Sequence, residues 1–197
     1  MSVRREQKQE SHERIVESAA RLLRERGVDG AGVADIMREA GLTHGGFYAH
    51  FGSRDDLVAE ALSHAADQSR SRLFARLSER RGVAWLREAV RRYLSPAHRD
   101  NPAQGCPLTS FGPDVARRES PTEVRKAFDR ELETTVAGFR EHLDEAGAED
   151  PDGRALALIA LCAGGLTLSR AVDDRRLSDR ILRACRALAE QGSKPMA

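Results

Sequence analysis

The stretch Ile36-Met37-Arg38-Glu39-Ala40-Gly41-Leu42-Thr43-His44-Gly45-Gly46-Phe47-Tyr48-Ala49-His50-Phe51 holds two short helical patterns separated by one glycine. Val33, Ile36, Met37 and Ala40 stand at i, i+3, i+4 and i+7, the single face of a helix that stops at Gly41. Thr43 is placed to cap a second helix of about seven residues, ending at His50, in which Phe47 and Phe51 point inward with Leu42. That phase leaves Thr43, His44, Gly45 and Tyr48 outward. Two helices with a tight turn, the second presenting a hydroxyl, a histidine and a tyrosine, have the size and surface of a helix-turn-helix that reads duplex DNA. Gly45 and Gly46 each weaken a helix by about 1 kcal/mol relative to alanine. Either the backbone there must approach a groove closely, or the glycines loosen a connecting helix.

Working outward, Ser11 is placed to cap a preceding helix carrying Ile15, Ala19, Leu22 and Leu23, with Gly27 as its stop. Downstream, Ser53 to Asp56 forms a capping-box-like start to a long helix through Leu57, Ala61, Leu62, Leu73 and Leu77, ended by Gly82. A helix over Val83 to Leu94, a loop SPAHRDNPAQG and a short segment from Pro107 to Arg118 follow. A long helix opened by Ser120-Pro121 then runs to Glu145, GAEDPDG forms a loop, and helices over 152–173 and 178–191 complete the chain, the last capped by Ser178. No window alternates like a strand, so the fold class is all-α. A three-helix helix-turn-helix domain over 1–52 is expected to precede a larger helical ligand-binding and dimerisation domain over 53–197.

The chain has 197 residues, 40% hydrophobic and 32% charged, which fits a packed helical protein and not a disordered one. A net charge of +1 argues against a polybasic architectural binder and leaves room for a few placed phosphate contacts. Cys106, Cys162 and Cys185 are odd in number and lack metal spacing, so no disulfide framework, metal or cofactor is expected, and a cytoplasmic protein fits. MSVRREQKQE lacks the apolar core of a signal peptide, and no membrane-spanning run is expected; Ala155 to Val172, interrupted by Gly164-Gly165 and Arg170, reads as a buried helix. No P-loop, GxSxG, HExxH or carboxylate pair supports an enzyme.

Residues 11–62 resemble the TetR family of bacterial transcription regulators. The resemblance is carried by Ile36, by Ala40-Gly41-Leu42-Thr43, by Gly45-Gly46-Phe47-Tyr48-Ala49-His50-Phe51 and by Ser53-Arg54-Asp55-Asp56-Leu57. It implies phosphate contacts from Thr43, Tyr48, His50 and Arg54, and base-facing positions at His44 and Gly45, with Gly46 beside them. From the residues alone, His50 can instead bridge to the next helix, and Arg54 can be an ordinary surface charge. Gly32, where many members cap the second helix with serine or threonine, and Met37, where alanine is usual, depart from the pattern.

The resemblance further implies a homodimer on a palindromic double-stranded operator, released by a small-molecule inducer, with repression more usual than activation. Apolar stripes agree with a dimer: Leu156, Ile159, Ala160, Ala163, Leu166 and Thr167 on one helix, Ile181, Leu182, Cys185, Leu188 and Ala189 on the next. A monomer core is the alternative, but a three-element DNA reader usually requires two-fold symmetry to reach two half-sites. Candidate ligand walls are Trp85, Tyr93, Phe111, Phe128, Phe139 and His142, which also suit plain core packing. Cys106, before Pro107 at a helix start, is either a small apolar residue or a thiol activated by the helix dipole. The segment CPLTSFGPDVARR (106–118) resembles one in a TetR subgroup that includes regulators answering electrophiles and oxidants, although other members with similar segments bind non-reactive ligands.

Overall fold

The computed structural model describes residues 3–118 and 122–192, and these residues form helices and turns with no strand among them. The α-helices are α1 (Val3–Arg26), α2 (Val33–Glu39), α3 (Arg54–Phe74), α4 (Gly82–Tyr93), α5 (Pro96–Arg99), α6 (Pro107–Ala116), α7 (Glu123–Glu145), α8 (Pro151–Ala171) and α9 (Arg175–Gly192). The all-α expectation therefore holds. The expected opening of the long helix at Ser120-Pro121 lies outside the described residues.

Several local expectations shift. Helix α1 begins at Val3, two turns before Ser11. The reading segment His44–Ala49 is a 3-10 turn, not an α-helix, and Thr43 stands at its N-cap without a side-chain cap bond. Tandem glycines favour this tighter, shorter form because they contribute little to α-helix stability. Gly82 opens α4 and does not end α3, and its N–H donates to Glu145 Oε2 at 2.9 Å. The expected loop 95–105 contains α5, capped by Ser95, and a 3-10 turn at Pro102–Gln104. Ser178 lies one turn inside α9, 3% exposed; its Oγ donates to the Ser169 carbonyl at 2.6 Å. The turn before α9 is closed by Asp174, whose side chain accepts from Arg176 N.

The chain folds as two compact units, one of residues up to 69 with 106–131, the other of residues 70–105 with those from 132 onward. The sequence boundary at residue 52 thus falls inside the first unit. Its core joins Ile15, Leu23, Ile36, Met37, Phe47, Leu57 and Leu62 to Phe111 and Val115 of α6 and Val124 of α7. Polar ties fix the turn between α1 and α2. Gly27, at φ +79°, ends α1, and a Cβ there would meet Asp114 Oδ2 at 2.8 Å. That same Asp114 oxygen accepts the Val28 N–H at 2.6 Å, so α6 approaches the turn as closely as a glycine allows. Arg54 donates to the carbonyls of Val28 and Ala31, and Arg118 pairs with Asp55 at 2.9 Å.

In the second unit, α8 and α9 pack along each other and both meet α4. Gly165 permits the contact: a Cβ would stand 2.7 Å from Cys185 Sγ and 3.3 Å from Leu94 Cδ2. Contrary to expectation, Pro151–Ala171 is long and apolar enough to cross a membrane, at a mean hydropathy of 1.3. Its packing accounts for part of this, since Leu158, Cys162 and Leu166 are buried in the unit. With 33% of that window buried, however, much of the apolar surface faces outward.

Candidate nucleic-acid interface

Helix α2 lacks a side-chain cap at Gly32; Asp35 compensates by accepting the Gly32 N–H at 3.4 Å and pairing with Arg38. The turn is closed by Leu42 N donating to the Met37 carbonyl at 2.8 Å. Phe47 is the inward anchor, 2% exposed and stacked on Phe51 at 5.6 Å between centroids. With Phe47 and Phe51 fixed, Thr43, His44, Gly45 and Tyr48 are all exposed, Tyr48 at 74%. An added Cβ at Gly45 would meet nothing within 4 Å, and one at Gly46 only Met37 Cε at 3.7 Å and Thr43 Oγ1 at 3.9 Å. Packing inside the chain therefore does not demand glycine at either position.

His50 and Arg54 sit differently. His50 is half-buried beside His12 of α1, 5.9 Å between centroids, and its Nδ1 is buried without a hydrogen-bond partner. Burial foremost, then the neighbouring His12 and Lys8 charges, holds its pKa below the ordinary histidine value. His12 stacks on Phe51 at 4.7 Å and shares a 2.6 Å hydrogen bond with Glu60. Sequence reasoning missed His12, although it continues the buried stripe of α1 one turn before Ile15 and Val16. Arg54 is 33% exposed, with its guanidinium bonded to the turn carbonyls and 3.8 Å from Asp29.

Trp85, Phe139 and His142 come together in the second unit: His142 stacks on Trp85 at 4.2 Å and Phe139 meets Trp85 edge-on at 5.2 Å. Phe74 completes the group at 5.4 Å from Trp85. His142 Nδ1 and Glu145 Oε2 share a 2.7 Å hydrogen bond, tying the cluster to the start of α4 through Gly82. Tyr93 packs apart from them, edge-on to His98 at 4.8 Å. Phe111 and Phe128 are in the other unit, Phe111 in its core and Phe128 packed against that core. Cys106, 8% exposed, is the N-cap residue of α6 and not in a disulfide. The second unit also holds a cleft of about 460 Å³ with Arg72, Arg91 and Arg92 on its walls.

Of the proposed dimer residues, Leu156 and Leu188 are exposed and Ile181 and Ala163 half-buried, whereas Ile159 and Leu166 are buried in their own unit and Cys185 lies against Gly165. The outward apolar set is a neighbouring one: Ala157, Ala160, Gly164 and Leu168 on α8, with Leu177, Ala184 and Leu188 on α9.

Helix α2, the turn at Gly41 and the short segment His44–Ala49 have the arrangement of a helix-turn-helix, with Phe47 buried and Tyr48 exposed. Residues 15–61 match the family described as bacterial regulatory proteins, tetR family. An uncharacterized HTH-type transcriptional regulator of Mycobacterium tuberculosis is 29% identical over 136 residues, 64% of this chain and 68% of the relative. A TetR transcriptional regulator from Chloroflexus aurantiacus shares the fold at a TM-score of 0.79 and 23% identity, over 94% of this chain and 95% of that one. AibR, solved with isovaleryl coenzyme A and operator DNA, superposes at a TM-score of 0.65 and 19% identity over 90% of this chain and 97% of its own. Residues 15–61 thus match the tetR family of bacterial regulatory proteins, and the chain as a whole shares the fold of solved TetR regulators.

Proposed function

We propose that this chain is a cytoplasmic homodimeric repressor that leaves a palindromic operator when a small molecule or an electrophile reaches its second unit or Cys106. The observation that carries the operator reading is the exposed row Thr43, His44, Gly45 and Tyr48, with open space over Gly45 where a groove floor fits. Dimerisation is supported by the outward apolar stripe of α8 and α9, which a two-fold partner would cover. Ligand response is supported by the cleft in the second unit and by AibR, which holds an acyl coenzyme A together with its operator. Activation in place of repression would follow from operator position, which lies outside the protein.

Selection from random duplex should return one two-fold symmetric site, and sedimentation at micromolar concentration should show a dimer. A monomer that selects no symmetric site would overturn the reading. Release by N-ethylmaleimide that survives Cys106→Ser would exclude the thiol as the signal.

Arg54 and Tyr48 give separable outcomes. Tyr48→Phe removes only an exposed hydroxyl, so stability should stay within about 0.5 kcal/mol while DNA affinity falls uniformly across sequences. Arg54→Ala should lower thermal stability as well, by about 1–2 kcal/mol, because the Val28 and Ala31 carbonyls lose their charged donor. His44→Ala should alter sequence preference with little loss of stability. Equal melting points for the Arg54 and Tyr48 variants would contradict the structural part assigned to Arg54.

A further inference from the structure

The buried stripe of α1 runs Leu23, Ala19, Val16 and Ile15, then His12, at intervals of three and four. Continued toward the start of the helix, the same line passes through Lys8 and then Arg5 and Arg4. These side chains no longer cover apolar core; residues 3–10 are all exposed. Of the acids of this region, Glu6, Glu10 and Glu17 fall on a different side of the helix, while Glu13 reaches the groove that Arg5 and Lys8 line. Glu17 hydrogen-bonds His64 at 2.7 Å and Glu60 hydrogen-bonds His12 at 2.6 Å. Arg5, Lys8 and His12 line one groove of about 310 Å³ with Glu13, Glu60 and His64. His12 is in ring contact with Phe51 and His50, the residues that end the reading turn, so the basic line continues the edge of that turn.

We infer that Arg4, Arg5 and Lys8 form a second DNA contact, gripping backbone phosphates beside the stretch read by His44 and Tyr48. Charge complementarity and continuity with the reading turn select duplex DNA as the partner. The depressed protonation of His50, to which the Lys8 charge contributes, agrees with Lys8 standing close to that edge. The grip carries no sequence information of its own. It adds affinity that depends on salt and on duplex length. This inference rests on the operator reading above, and the experiment separates the two.

The wild-type chain is used to select its site from random duplex, and binding is then followed against salt on that site with long flanks and trimmed to the selected core. The variant Arg4→Ala/Arg5→Ala/Lys8→Ala changes only exposed positions to the best helix former, and circular dichroism reports that α1 persists. On the long duplex its slope of log affinity against log salt should be shallower by about 0.9 for each phosphate no longer neutralised, up to roughly 3 per chain, with the selected sequence unchanged. Arg4→Lys/Arg5→Lys should keep the wild-type slope, and on the trimmed duplex wild type and alanine variant should converge. An alanine variant with the wild-type slope and affinity on the long duplex overturns the inference while leaving the operator reading in place. A wild type that selects no sequence overturns the operator reading, and the phosphate grip with it.

Discussion

Phe111→Ala should cost about 3–5 kcal/mol and cut the melting temperature of the ligand-free protein by roughly 10 °C, abolishing DNA binding well before any effect on ligand response is seen. From sequence, Phe111 is one of six aromatics that could wall a ligand pocket. In the structure it is fully buried among the residues that hold up the reading turn, in one cluster with Ile15, Leu23, Ile36 and Leu57. Truncation there leaves a void of nearly a whole ring, and neighbours fixed on α1 and α3 have little freedom to close it. The change also loosens α6, whose Asp114 accepts the Val28 N–H and so fixes the turn leading into α2. A domain with a total stability of about 5–15 kcal/mol does not absorb such a penalty without a visible unfolded population. Phe111→Leu, which keeps most of the volume, should retain DNA binding at reduced stability. If Phe111→Ala instead melts with the wild type and changes only the response to ligand, the residue belongs to a pocket wall and not to this core.

The contrast between Phe111 and Phe47 shows what a sequence discloses. Phe47 is four residues from Phe51 and six from Gly41, so its inward direction follows from local spacing, and the outward row of Thr43, His44, Gly45 and Tyr48 follows with it. Phe111 finds its partners on α1, some ninety residues earlier, and nothing in the periodicity of α6 distinguishes those partners from the aromatics around Trp85. Arg54 is intermediate: its place in a capped first turn is legible, whereas its bonds to the carbonyls of Val28 and Ala31 depend on a tertiary turn. Helix α8 resists phasing for another reason. Apolar residues surround it, so Leu166 and Leu168 are equivalent in composition, although one is fully buried and the other 59% exposed. The paired glycines weaken an α-helix over His44–Ala49, yet glycine content alone does not choose between a weak α-helix and the tighter 3-10 turn observed.

Acid should loosen the second unit through His98, the other large effect. His98 is 7% exposed, its Nδ1 lies 2.7 Å from the Tyr93 carbonyl, and its ring packs edge-on against Tyr93. Burial above all pushes its pKa from 6.5 down to about 4; the bond to the Tyr93 carbonyl opposes the shift, and the charges of Arg170 on α8 and Arg72 on α3 reinforce it. Between those two values the unfolded chain binds a proton that the folded chain excludes, so stability falls as pH drops from about 7 toward 4, by about 3 kcal/mol in all. His50, also depressed, acts with the same sign in the other unit. The carboxylates act lower on the scale: the stability from Glu88, held at about 2 by Arg91 and Arg92, and from Asp100, lowered by Arg99 and Arg175, is lost as pH falls from the ordinary carboxylate values toward these lowered ones. The interval between about 4.5 and 6.5 therefore belongs to the histidines. Urea unfolding at pH 7.5, 6.0, 5.0 and 4.5 should show the midpoint falling steadily in the wild type. His98→Asn, whose amide can still donate to the Tyr93 carbonyl, should flatten most of that fall, and His50→Asn only a smaller part. A His98→Asn protein with the full wild-type pH dependence would mean that the imidazole is not kept neutral by its burial. The charge that a proton would add stands beside Arg170, which donates to the carbonyls of His98 and Arg99 at 2.8 and 3.1 Å. Protonation would thus strain the junction that joins α5 to α8, the helix carrying the outward apolar stripe, so the proposed dimer should weaken over the same pH interval as the fold.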